Sequence, residues 1–256
     1  MLTKINRYTV FFAVFMLLIF SAVRGEVAAQ DIYPDLLDEE VTETEDFLDE
    51  KPDIVIYDPL EPMNRVFFQF NDKFYFWVLK PVTNAYMWVL PYEIRDSFGN
   101  FFLNLATPIR LLNALLQGDL EKSGVVLKRF VINSTLGVYG FADTADVEFG
   151  IDRKRADFGQ TLGKWGLGEG IYLCWPIVGS SSVRDSVGLV ADAFSHPVPY
   201  FSDSTAFNAS YFATDRVNNL SFHPDAYEDL KRYSVDAYAA SRQAYYEYRK
   251  AIIERY

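Results

Sequence analysis

Apolar residues recur at three- and four-residue steps along most of the chain, which predicts a succession of helices. Behind Asp58-Pro59-Leu60-Glu61 the step runs through Met63, Val66, Phe67, Phe70, Phe74, Trp77 and Val78. Asp58 is expected to cap this helix, Pro59 to take its first position and Glu61 to reach back to the cap. Phe68, Tyr75 and Phe76 spoil the opposite face. A helix greasy nearly all round is either deeply buried or lipid-facing. Pro81 is expected to interrupt the next turn. A helix from Pro91 carries Phe98, Phe101, Phe102 and Leu105, and another, opened by Thr107-Pro108 and ended at Gly118, carries Ile109, Leu112 and Leu115. Together they predict a helical hairpin joined at Ala106-Thr107, too short to span a bilayer but able to lie within one leaflet, with an ordinary core hairpin as the alternative.

Asp119 caps a helix from Leu120 to about Ser134, in which Val125, Val126, Phe130 and Val131 are apolar and Lys122, Lys128 and Arg129 polar. Gly137 to Asp143 reads as a turn, with Asp143 and Asp146 in a solvated loop. From Asp157 to Leu189 the periodicity gives way to glycine (159, 163, 166, 168, 170 and 179) set among Phe158, Trp165, Tyr172 and Trp175. Glycine at that density breaks regular structure. The stretch predicts a short helical turn over Phe158 to Trp165, an extended apolar crossing over Ile171 to Val178, and a new helix from about Ser182 to Pro197. An irregular apolar wall is tolerable at membrane depth only where protein buries it or it lines a cavity. Ser204 to about Leu220 is helical, and Pro224 starts a final helix to the C-terminus, striped by Tyr227, Leu230, Ser234, Tyr238, Ser241, Tyr245, Tyr248 and Ile252. No strand run stands out, so the fold class is all-α.

Composition changes this picture in three places. Most of the formal charge of −11 lies between Asp31 and Asp53, where acids alternate with isolated Leu, Val and Phe. Residues 30–53 therefore read as an acidic disordered linker, and the body over 54–256 is nearly neutral. With no contiguous basic surface, nucleic acid is not expected as a partner. Ahead of the linker, Lys4 and Arg7 precede an apolar run from Tyr8 to Val23 and the small residues Val27-Ala28-Ala29, which describes a secretory signal peptide over 1–29, cleaved or kept as an anchor. The sole cysteine, Cys174, lies in an apolar run and reads as a buried thiol, so no internal disulfide forms.

Candidate chemistry is thin. His196 and His223 each stand beside a proline at a helix boundary, where capping or exposure is the usual fate. Gly179-Ser-Ser-Ser-Val fails as a nucleophile elbow, and Gly159 to Lys164 is too short for a phosphate-binding P-loop. No catalytic constellation, metal site or cofactor is expected.

Several segments resemble the MlaA/VacJ family: YDPLEPMNRVFFQFND (Tyr57 to Asp72), LKPV (Leu79 to Val82), NFFLNLATPIRLLNALLQG (Asn100 to Gly118), RFVINSTLGVYGFAD (Arg129 to Asp143), DFGQTLGKWGLGEGIYLCWPIVGSSSVRDSVG (Asp157 to Gly188) and HPDAY (His223 to Tyr227). The resemblance implies a ring-like helical protein in the inner leaflet of the outer membrane with an amphipathic channel. It implies that outer-leaflet phospholipids pass inward to a periplasmic lipid carrier feeding an inner-membrane ABC transporter, beside an outer-membrane porin trimer. Many members carry a lipid on a cysteine after the signal, and this chain has none there. On this reading Phe158, Gly159, Gly163, Trp165, Gly166, Tyr172 and Pro176 are expected to wall the lipid path, with Lys164 or Arg184 as headgroup contacts. A salt bridge to Asp185 is the plainer role for Arg184. A soluble periplasmic lipid carrier, a structural envelope protein and a phospholipase remain as alternatives.

Overall fold

The computed structural model describes residues 56–254. The expected signal over 1–29 and the acidic linker over 30–53 lie outside the described residues.

The chain enters through α1 (Glu61–Phe74), passes through a five-residue π-helical stretch (Tyr75–Leu79), and continues into α2 (Lys80–Val89). Pro81 therefore does not interrupt this rod. It falls in the first turn of α2, directly behind the wider π turn, where a missing N–H costs least. Asp58 does not cap α1 either; the cap position is Leu60, without a side-chain bond. Instead the Asp58 carboxylate accepts from Asn64 Nδ2 at 2.8 Å, Arg242 Nη1 at 2.9 Å and the Tyr238 hydroxyl, tying the first described segment to the last helix.

The predicted hairpin forms as α3 (Tyr92–Leu105) and α4 (Thr107–Leu116), turning at Ala106. The next helix, α5 (Leu120–Thr135), is capped as expected by Asp119, which accepts from Lys122 N at 2.8 Å. A turn leads to the one-turn α6 (Thr144–Val147), and α7 (Phe158–Lys164) follows under an Asp157 cap. The extended crossing is one arm of a small antiparallel hairpin, β1 (Tyr172–Trp175) with β2 (Gly179–Ser182), in which Tyr172 faces Ser182 and Trp175 faces Gly179. The second arm, Gly-Ser-Ser-Ser, has no strand propensity to announce it. Two asparagines of α1 hold the free edge of β1. Asn64 donates to Tyr172 O at 3.1 Å and accepts from Cys174 N at 2.9 Å, while Asn71 donates to Trp175 O at 2.8 Å and accepts from Ile177 N at 2.6 Å.

Beyond β2 run α8 (Val183–Ser195), the one-turn α9 (Val198–Phe201) and α10 (Thr205–Leu220), the first and last capped by Ser182 and Ser204. The expected single C-terminal helix is two, α11 (Ala226–Tyr233) and α12 (Ala237–Glu254). The break falls at Asp236, whose carboxylate accepts from Tyr238 N and Ala239 N and pairs with Arg65 at 2.7 Å, satisfying a new helix start. The conventional core is small: Tyr172, Cys174, Tyr238, Tyr245 and Tyr246, with Ile56, Phe67 and Phe68 against them.

Helices α7 and α8 meet backbone to backbone. A Cβ on Gly188 would lie 2.4 Å from Gly159 N and 2.7 Å from its Cα. Only glycine fits, and main chain cannot swing aside as a side-chain tip does. Gly188→Ala is expected to destabilise the fold by about 1–3 kcal/mol, an overpacking cost, read as a lower thermal midpoint in detergent.

The distribution of polarity is inverted. Among the described residues, buried side chains include Asn64, Asn100, Asn104, Asn113, Lys122, Arg129, Asn133, Asp143, Arg184 and Arg249. Meanwhile Trp88 is 88 % exposed, Trp77 and Phe201 each 76 %, and Leu112, Leu115, Leu120, Val131, Phe194 and Tyr200 also face outward. On α5 the buried positions Lys122, Val126, Arg129 and Asn133 follow the helical 4-3-4 step, so its polar stripe points inward. No described helix is long and apolar enough to cross a membrane.

Candidate functional site

The inward polar faces converge on a cavity of about 470 Å3, a size within the roughly 300–1,000 Å3 of small-molecule sites. Residues of α3, α4, α5, α7, α8, α10 and α12 line it, together with the β-hairpin and the segment from Arg153 to Asp157. The helices thus surround a polar cavity, here called the lumen, beside the aromatic core.

Three clusters build its wall. In the first, Asp143 accepts from Arg129 Nη2 at 2.7 and 2.6 Å, from Asn133 Nδ2 at 2.9 Å, and from Arg153 Nε and Nη2 at 2.9 and 2.7 Å. Arg153 Nη2 also reaches Asn100 Oδ1 at 2.6 Å, tying α3 to the cluster. Burial alone would raise the Asp143 pKa, but the bonds from Asn133 and Arg153 and the two guanidinium charges hold it below the ordinary carboxylate value. The solvated loop expected for Asp143 is thereby corrected: the residue is buried and also caps α6.

In the second cluster, Arg249 of α12 spans Asp157 at 2.8 and 3.0 Å and Asp185 at 3.0 Å. Asp185 also accepts from Arg184 Nε at 2.8 Å and from the Tyr245 hydroxyl. Burial again pushes Asp185 up, and the charge of Arg249 with the bonds from Arg184 and Tyr245 brings it below its ordinary value. Asp157 has two duties, since its Oδ1 also caps α7 through Gln160 N at 2.7 Å. In the third, Asp192 accepts from Asn113 Nδ2 at 2.8 Å and Phe158 N at 3.0 Å, and Thr161 Oγ1 donates to Asn113 Oδ1 at 3.0 Å.

None of the seven residues expected to wall a path, and neither of the two expected headgroup contacts, lines this cavity; their neighbours Asp157, Gln160, Val178, Ser180, Ser181 and Asp185 do. Gly159 lies beneath Arg249 and Asp185, and Gly163 packs against Ile253. Gly166 closes α7: at φ +86° its N–H bonds Gly163 O and Leu167 N bonds Leu162 O, the two bonds of a Schellman cap. Phe158 meets Trp165 edge to face, and the Trp165 indole donates to Leu116 O at 3.0 Å. Tyr172 sits in the aromatic core, while Pro176 begins the hairpin turn. Lys164 lies 3.9 Å from Asp119, and Arg184 is buried on Asp185. The tight glycine packing thus serves protein, one layer behind the lumen.

The hairpin candidates divide. Leu112 and Leu115 are exposed, and Phe98, Phe101 and Leu105 are half-buried. Phe102 and Ile109 are buried and touch the cavity instead, on the same inner faces as Asn100 and Asn104. Sequence reading missed Arg129, Asp143, Arg153, Asn113 and Arg249. For Arg129 the signal was present as polar residues repeating at helical spacing, which conventional patterning assigns to solvent, whereas Asp143 and Arg153 lie in irregular segments with no such pattern. His196 is buried, with Nδ1 accepting from Val198 N at 3.1 Å, so it caps and is not exposed. Among the described residues no group of His, Cys, Asp and Glu is arranged to hold a metal ion.

Short helices around a charged cavity, with many large apolar side chains turned outward, define a class of helical protein whose polarity runs opposite to that of an ordinary globular domain. The profile of the MlaA lipoprotein family matches residues 56–252, and the chain belongs to that family. It is 33% identical over 198 residues to the intermembrane phospholipid transport system lipoprotein MlaA of Escherichia coli K12, covering 74% of this chain and 76% of that one. An uncharacterised Rickettsia conorii protein is 30% identical over 202 residues, covering 78% and 80%. A solved structure reported for the maintenance of bacterial outer membrane lipid asymmetry superposes with a TM-score of 0.68 at 31% identity, covering 77% of this chain and 98% of that one.

Proposed function

We propose that this protein removes phospholipids from the outer leaflet of the outer membrane, passing them inward through its lumen and so maintaining lipid asymmetry. The inverted distribution of polarity carries the reading. Exposed Trp77, Trp88, Leu112, Leu115 and Phe201 suit an acyl environment, and the Asp143 and Asp185 clusters offer a headgroup a polar route that lipid tails do not. Because no described helix is long and apolar enough to span a bilayer, the hairpin and the aromatic exterior are read as seated in one leaflet. A periplasmic lipid-binding carrier feeding an inner-membrane ABC transporter would take the lipid onward, and a porin trimer would hold the ring at its depth. The movement is binding and release, with no bond made or broken.

The test is the amount of phospholipid accessible at the cell surface. Deletion of the gene is expected to raise it and complementation to restore it. An unchanged amount, with the protein present in the parent strain, would defeat retrograde removal. Fractionation tests the seating: detergent is expected to be required for extraction, whereas free release into a periplasmic extract would favour a soluble carrier.

A further inference from the structure

Positive charge is unevenly held around the lumen. The cluster on Asp157 and Asp185 sets two carboxylates against Arg249 and Arg184, whereas the Asp143 cluster sets one carboxylate against two guanidiniums. Those two guanidiniums differ. Arg129 is buried, holds both Asp143 oxygens and gives Nη1 to Ile151 O. Arg153 has a side chain 47% exposed, lines the cavity, and commits Nε and Nη2 to Asp143 and Asn100. Its Nη1 has no acceptor among the described residues. Lys154 and Arg155 follow on the same wall, and Arg155 Nη1 bonds the Tyr248 hydroxyl at 2.9 Å. A guanidinium held rigid on one edge and open on another is suited to an oxyanion, because its fork loses little freedom on binding.

We infer that Arg153 grips the phosphodiester anion of a phospholipid in the lumen, with Asp143 and Asn100 as its positioning residues. This rests on the lumen being the lipid's route. Phosphodiester charge is common to zwitterionic and anionic phospholipids, so the contact selects for the phosphate and ignores the alcohol beyond it. Diacylglycerol, which lacks the phosphate, is discriminated against.

The test uses the purified full chain in a nonionic detergent, titrated with dihexanoyl phosphatidylglycerol, dihexanoyl phosphatidylcholine, dihexanoylglycerol and inorganic phosphate. Both phospholipids are expected to bind at least about tenfold more tightly than dihexanoylglycerol, the scale of one charge-assisted bond, and inorganic phosphate more weakly than either. Arg153→Gln is expected to erase that tenfold advantage and leave dihexanoylglycerol unchanged, with Arg153→Lys recovering part of it. Circular dichroism and the thermal midpoint identify a variant that fails to fold, and Arg153→Lys then carries the comparison. Unchanged phospholipid binding by folded Arg153→Gln would overturn the assignment while leaving the route intact, as would equal losses for all lipids. Inorganic phosphate binding as tightly as the lipids, lost in Arg153→Gln, would make this an ion site and overturn the lipid contact. If the unaltered protein binds none of the lipids, the route fails and the assignment with it.

Discussion

Asp143→Ala is expected to cost about 3–5 kcal/mol of folding stability, since it strands a buried guanidinium without its partner. Arg129 has a side chain only 10% exposed, and Asp143 is the sole carboxylate it is paired with among the described residues. The same change frees Asn133 and Arg153 and removes the cap of α6. Chemical denaturation in detergent measures the cost, and a loss below about 1 kcal/mol, the usual worth of a surface pair, would show the cluster to be peripheral. Acid supplies a second readout. Asp143 and Asp185 are both held below their unfolded values, so folding removes protons from them. Their contribution is complete above the unfolded carboxylate value and is lost as pH falls through the folded ones. Stability is therefore expected to hold from neutral pH to about the ordinary carboxylate range and then decline, with a shallower decline in Asp143→Asn.

Arg249→Met is expected to destabilise by about 3 kcal/mol, at the lower end of the cost of breaking a buried pair. The reason for the lower figure is that Asp185 keeps Arg184 and Tyr245, and Asp157 is a third exposed. Its local effect is larger than the total suggests, because Arg249 is what fastens the end of α12 to α7 and α8. Hydrogen exchange in the last two turns of α12 is expected to accelerate while α3 to α5 keep their protection. Uniform acceleration throughout would mean that α12 is part of one cooperative unit and not a separately held strap.

Much of the helix order was legible. Asp119 announced its helix as a cap, Ser182 and Ser204 marked where two others begin, and the hairpin turned at Ala106 as its spacing required. Family membership was legible too, because the quoted segments stand in order along the chain. The lumen was not. Periodicity identifies two faces of a helix but not which one meets solvent, and the ordinary assumption sends Arg129 and Asn133 outward. Here that assumption reverses, so Val131 is outside and Arg129 within. Glycine misled for a related reason: Gly159 and Gly188 are small so that two helices can touch, and a sequence does not say what approaches a glycine. The π stretch before Pro81 was hidden because it depends on backbone bonds alone, and the Asp236 break because neither proline nor glycine interrupts the chain there and the helical stripe runs through it unbroken.

Asn64 and Asn71 have a consequence for assembly. A two-stranded sheet has two edges, and an open edge is a template on which another chain can pair its own strand. Here two amides, spaced two helical turns apart, occupy backbone groups of Tyr172 and Cys174 on the outer edge of β1 and of Trp175 and Ile177 at its turn. A protein with so much exposed apolar surface has to avoid clumping, and the amides close the β1 edge of this hairpin to strand-by-strand aggregation.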